Sequence, residues 1–86
     1  SVEVITEEFK ETSKIIKIRS VIFTERDSQK KILIGHKGAA LKKVASNARK
    51  DLERFFNKKI FLEVFIKVKK NWRNDKLSLK RFGYNL

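Results

Sequence analysis

Apolar positions recur along this chain with two different periods, and the change of period marks its elements. From Lys59 to Lys69 the alternation is strict. Ile60, Leu62, Val64, Ile66 and Val68 fall on one side of an extended strand, and Phe61, Glu63, Phe65, Lys67 and Lys69 on the other. Ile15 to Glu25 alternates as well, with Ile16, Ile18, Ser20, Ile22 and Thr24 on one face and Lys17, Arg19, Val21 and Phe23 on the opposite one. Val2 to Phe9 alternates imperfectly, because Val2 and Val4 compete with Ile5 and Phe9 for the inward side. It predicts a strand whose register stays open. In between, the period lengthens. Leu41, Val44, Ala45, Ala48, Leu52 and Phe55 recur at three- and four-residue steps and predict a helix with its apolar stripe toward the core, while Lys42, Lys43, Arg49, Lys50 and Arg54 lie away from it. Asn57 and Lys58 end that helix.

A shorter helix of about two turns is expected over Gln29 to Ile34, capped by Asp27 or Ser28 through a side-chain oxygen. The polar Glu11 to Lys14 stretch has hairpin length, so the first two strands should pair antiparallel. Two helices separate the second and third strands, which in one sheet makes them parallel by a right-handed crossover. Beyond Lys70 a short helix should run to Phe82, with Gly83 at its C′ position and Tyr84 packing on Leu79. Trp72 either anchors this helix or stacks on a base, and a lone Trp in a small domain favours the anchor. The architecture is α+β: a three-stranded mixed sheet with helices on one face and a short C-terminal helix.

The two helices meet at Ile32-Leu33-Ile34-Gly35-His36-Lys37-Gly38, where two glycines three positions apart enclose a polar, basic pair. Without a Cβ, Gly35 and Gly38 can take positive φ and let another backbone come close. The peptide N–H groups after Gly38 open the long helix, where unpaired donors and the helix dipole favour an anion. Such a loop resembles the one by which K-homology (KH) modules hold about four nucleotides of single-stranded nucleic acid. The same spacing also serves a plain helix–helix turn with a glycine C-cap, and the loop alone does not decide between them.

Charge changes that balance. The chain of 86 residues carries a net charge of +12. Residues 1–27 hold five Lys/Arg against six Asp/Glu, whereas residues 28–86 hold seventeen against four. A basic field that begins at the glycine loop points to a polyanionic partner. With no cysteine and a single histidine, His36, disulfides and a thiolate or zinc site are out of reach. There is no run of apolar residues long enough to span a membrane, no signal-peptide pattern and no proline- or glycine-rich linker, so a single cytoplasmic domain over 1–86 is expected. No activated nucleophile or metal cluster supports an enzyme reading.

Several blocks together resemble one family. They are Glu25 to Gly38, then Ala48-Arg49-Lys50-Asp51-Leu52-Glu53, then Val68-Lys69-Lys70-Asn71-Trp72-Arg73-Asn74-Asp75, and finally Phe82-Gly83-Tyr84. In that order they are similar to the C-terminal domain of the Era GTPase family, a type II KH domain. The resemblance implies that the chain was cut from a longer protein with an N-terminal GTPase half, to which GTP and magnesium would belong. It implies the 3′ end of small-subunit ribosomal RNA as partner, a role in small-subunit biogenesis, a monomer, and peripheral contact with the inner membrane. This chain has no Gly-x-x-x-x-Gly-Lys-Ser/Thr loop, so nucleotide hydrolysis cannot reside in it and no cofactor is expected here. The family fold carries a helix ahead of the first strand, and without one Phe61 or Phe65 should be exposed.

The expected interface is a groove for single-stranded RNA. Gly35, His36, Lys37 and Gly38 would meet the backbone, Lys31 and Lys42 would flank it, and Ile32, Ile34, Leu41, Val64 and Ile66 would supply apolar walls for bases. Backbone groups of the third strand would read base edges. Lys69, Lys70, Trp72 and Arg73 form a second candidate region. Two rivals are a helix-turn-helix on duplex DNA, disfavoured by the apolar lead-in to Gly35, and a basic module on a membrane surface.

Overall fold

The computed structural model describes residues 2–70. They form strand β1 (Val2–Glu11), strand β2 (Ile15–Thr24), helix α1 (Asp27–Ile34), a single 3-10 turn (His36–Gly38), helix α2 (Ala39–Phe56) and strand β3 (Lys59–Val68). The sheet has the order β1-β2-β3, antiparallel between β1 and β2 and parallel between β2 and β3, as the element lengths require. The expected C-terminal helix, with Leu79, Phe82, Gly83 and Tyr84, lies outside the described residues.

The conflict within β1 is resolved by a bulge. Val4 pairs with Ile22 and Thr6 with Ser20, then the register slips between Thr6 and Glu8, and Phe9 pairs with Ile18. One extra residue turns the strand over. Val4 and Phe9, which plain alternation would put on opposite faces, thereby share the face that carries Ile18 and Ile22. Thr12 closes the hairpin: its Oγ1 accepts from the N–H groups of Lys14 and Ile15.

The core lies between this face and α2. Ile16, Ile18 and Ile60 are buried there, with Leu52, Phe56 and Leu62 packed against them. Two assignments to the helix stripe need correction. Val44 is 61% and Phe55 80% exposed, whereas Phe56 packs on the core and against Phe9 at a ring-centroid distance of 6.0 Å. The helix is rotated so that Leu52 and Phe56 point at the sheet, and Val44 and Phe55 fall on the stripe's outer flank. An apolar cleft of about 370 Å³ remains between that flank and β1, lined by residues that include Val4, Phe9, Val44 and Val64.

The start of α1 also differs from expectation. Arg26 is the N-cap, and neither Asp27 nor Ser28 caps the helix. Instead the Gln29 Oε1 accepts from the N–H groups of Glu25 and Arg26, at 3.0 and 3.1 Å. An amide at the third helical position reaches back to two donors, and the helix starts at Asp27, two residues earlier than expected.

Candidate nucleic-acid interface

The connection from α1 to α2 is built from residues in unusual backbone states. Gly35 has φ 74° and ψ −177°, Lys37 has φ 52° and ψ 29°, and Gly38 has φ 80° and ψ 9°. The loop is nevertheless tied at both ends. Gly35 N–H donates to Lys31 O at 2.9 Å, Gly38 N–H to Gly35 O at 3.3 Å, and Ala39 N–H to His36 O.

The two glycines do different work. A Cβ on Gly35 would stand 2.7 Å from Ala40 Cβ and 2.9 Å from Ala40 N, so its bare α-carbon is used up by the packing of α1 on the first turn of α2. A Cβ on Gly38 would meet nothing within 4 Å. The space beside the α-carbon is thus open at Gly38 and taken up by Ala40 at Gly35. The small residue opposite Gly35 could have been read from the Ala39-Ala40 pair that follows the loop.

Around Gly38 the surface is suited to phosphate. Helix α2 has no side-chain cap and no acidic residue in its first turn, so past the Ala39 N–H, which His36 O accepts, no side chain of that turn answers its N–H groups or its dipole. His36 and Lys37 are exposed on the turn, Lys42 is exposed in the first turn of α2, and Lys31 is exposed in the last turn of α1. Arg49 and Arg54 of the same helix are engaged with Glu53 and Asp51.

The apolar residues expected to line the groove divide. Ile32 is 76% exposed on α1, and Ile34 and Leu41 are half-buried on either side of the loop. Ile66 is buried on the helix-facing side of β3, and Val64 lines the cleft toward β1. Alternation placed both on one face, and that face is the side of β3 turned toward the helices.

What β3 offers instead is its backbone. It is an edge strand, and both helices lie against it. Lys69 N–H donates inward to Thr24 O at 2.8 Å, and Ile60 N–H donates outward to Glu53 Oε2 at 3.2 Å. In a parallel ladder the groups alternate, so Leu62, Val64, Ile66 and Val68 turn their N–H and C=O groups to the open edge. Glu53 closes one end of this row. Its carboxyl is held below its ordinary value by the Ile60 N–H and, beyond that, by the positive charge of Arg49 and Lys59, with burial opposing. The sequence signal for this bond was a carboxylate seven residues before Ile60, in a block with no role assigned to it.

Lys69 and Lys70 sit at the far end of β3. Lys70 borders a polar cleft with Glu25, Arg26, Asp27 and Ser28, at the opposite end of α1 from the glycine loop. Lys70 is thereby placed apart from the glycine loop. Trp72 and Arg73 lie outside the described residues.

Comparison with known proteins agrees with this geometry. The family model described as KH domain matches residues 1–73. Among solved structures, an Era variant from Aquifex aeolicus bound to GDP and aluminium fluoride superposes with a TM-score of 0.80 at 32% identity. Era in complex with MgGDPNP and nucleotides 1506–1542 of 16S ribosomal RNA does so with 0.81 at 32%. The whole of this chain is covered in each case, and it spans 30% of the length of those chains. Strand order, the left-handed glycine turn and the matched sequence lead to one conclusion: the chain belongs to the KH-domain family.

Proposed function

We propose that this domain binds single-stranded RNA in the groove between the glycine loop and the open edge of β3. The ligand is the 3′ end of small-subunit ribosomal RNA, and the setting is small-subunit biogenesis within an Era-like GTPase. The observation that carries the reading is the turn itself. Positive φ at Gly35, Lys37 and Gly38 brings an uncapped helix N-terminus and an unobstructed α-carbon to the surface among Lys31, Lys37 and Lys42. A phosphodiester meets main-chain donors there, while bases turn toward the β3 backbone. The likeness to an Era structure that holds 16S ribosomal RNA supports the choice of RNA. GTP binding belongs to the rest of such a protein. The domain acts in the cytoplasm as a monomer, and any contact with the inner membrane is peripheral. Among the described residues no helix is long and apolar enough to cross a membrane.

The test is the pair of substitutions His36→Asp and Lys37→Asp. Both side chains are exposed, so the circular dichroism spectrum should be unchanged. RNA affinity should fall at least about tenfold, because two carboxylates replace the Lys37 ammonium and the His36 imidazole at the phosphate position. A folded double variant with undiminished affinity would show that the loop is not the clamp. Crosslinking to total cellular RNA tests the ribosomal assignment, which a spread over unrelated transcripts would overturn.

A further inference from the structure

The face of the sheet turned away from α2 carries an arrangement that the groove does not use. In register across it run the rows Lys10, Lys17, Phe61; Glu8, Arg19, Glu63; Ile5, Val21, Phe65; and Glu3, Phe23, Lys67. Phe61 and Phe65 are 47% and 44% exposed, and both stand on the edge strand, directly behind the open row of β3 backbone groups. They are four residues apart on one face, about 13 Å along the strand, far enough to take separate bases. The Arg19 guanidinium lies 6.0 Å from the centroid of the Phe65 ring and is held by Glu63 Oε1 at 3.4 Å. Lys17 lies beside Phe61 in register, and Lys67 follows Phe65. Among the described residues neither lysine is in an ion pair.

Half-exposed rings with cations beside them, here with Arg19 over one side of the Phe65 ring, are what a sequence-tolerant stacking surface needs, since every base has a π-face and the cations answer the phosphates. The surface is also continuous with the groove, because the strand whose edge lines the groove is the strand that carries both rings. We propose that RNA leaving the groove crosses the free edge of β3 and stacks on Phe61 and Phe65, with Lys17, Arg19 and Lys67 beside the chain. This rests on the groove reading and extends it: the loop holds about four nucleotides, and the aromatic face takes those that follow.

The experiment measures binding of uridine tetramers and dodecamers to the full 86-residue chain by competition anisotropy. The tetramer reports the groove, and only the dodecamer reaches over the edge. Phe61→Ala with Phe65→Ala should weaken the dodecamer by about fivefold per ring or more, leaving the tetramer within twofold. Phe61→Tyr with Phe65→Tyr, which keeps the π-faces, should restore the dodecamer. Both pairs should melt cooperatively, since neither ring is in the core. The proposal is overturned if the alanine pair binds the dodecamer as the parent does, which is also the outcome if a protein or the chain's own remaining segment occupies this face. It is overturned too if tetramer and dodecamer weaken in parallel. If the parent chain binds neither oligomer, or binds both regardless of Gly38, the groove reading itself fails.

Discussion

Substituting the two loop glycines one at a time separates a structural role from a binding role. At Gly35, alanine meets two obstacles. Its φ of 74° with ψ of −177° is a region essentially reserved for glycine, which costs about 1–3 kcal/mol for another residue. The added methyl would also stand 2.7 Å from Ala40 Cβ, an overpacking of a further ~1–3 kcal/mol. Gly35→Ala should therefore cost roughly 2–6 kcal/mol, comparable with the whole stability of a small domain. At Gly38 only the first kind of cost applies, in the milder left-handed region, and it is about 1–2 kcal/mol.

Urea denaturation reads this difference directly. With a slope near 1 kcal/mol/M, Gly38→Ala should lower the midpoint by about 1–2 M and stay folded in buffer, while Gly35→Ala should be largely unfolded or close to it. The folded Gly38→Ala protein then tests the contact. Its methyl projects into the space left for the RNA backbone and displaces a hydrogen bond to a charged oxygen, about 1.5–3 kcal/mol, or roughly ten- to a hundredfold in affinity. Equal midpoint shifts for the two variants would refute the assignment of Gly35 to packing. Undiminished RNA binding by Gly38→Ala would refute the assignment of Gly38 to the ligand.

Three further outcomes are expected. Lys37→Gly relieves a left-handed residue worth about 1–2 kcal/mol and gives back ~0.5–1 in unfolded-chain entropy, so the midpoint should rise slightly. The salt dependence of RNA binding should drop by about one phosphate contact. Glu53→Gln should flatten the acid limb of the stability curve: the carboxyl is depressed in the folded state, so its contribution is full above the ordinary value of 4.5 and is lost as the pH falls through the lower folded value. Melting both proteins from pH 6 to pH 3 checks this, and parallel curves would contradict it. Phe55→Ala should change stability by less than about 0.5 kcal/mol, whereas Phe56→Ala should cost about 3–5 kcal/mol. A reversal of that order would restore Phe55 to the core.

What the sequence disclosed, and where it stopped, follows from what periodicity measures. Alternation in Lys59–Val68 and the 3.6-residue repeat in Ala39–Phe56 establish which residues point the same way as one another, and the strand, the helix and the parallel crossover follow. Periodicity does not establish where that shared direction points. Phe55 and Phe56 differ by about 100° around the helix axis, and only docking on Ile16, Ile18 and Ile60 chooses between them. Ile66 and Val64 share a face with the core residue Ile60, and nothing local distinguishes a core face from a groove face. The bulge in β1 left a trace, the broken alternation between Val4 and Phe9, but a single inserted residue reads equally as weak patterning. At Gly35 and Gly38 the residue type announced positive φ correctly. The neighbour that makes one of them indispensable is a contact between two helices.

The glycine loop is tied down by the fold despite its two glycines, and on the proposed RNA reading that bears on how it would discriminate. A turn with two glycines would be expected to sample many states, and ordering it on RNA would subtract from affinity. Here the hydrogen bonds from Gly35 to Lys31 and from Ala39 to His36 fix both ends, and the packing of Gly35 on Ala40 removes the slack between them. The unusual dihedrals are thus set by the fold before any ligand arrives. A preset main-chain surface can accept a phosphodiester at little ordering cost, yet it cannot adjust to a duplex whose backbone follows a different path. On the RNA reading proposed above, selection for a single strand would come from the preset loop, and selection among bases from the row of β3 groups that has no strand partner among the described residues. Glu53 closes that row at Ile60, so base reading in the proposed groove would be confined to the stretch from Leu62 to Val68.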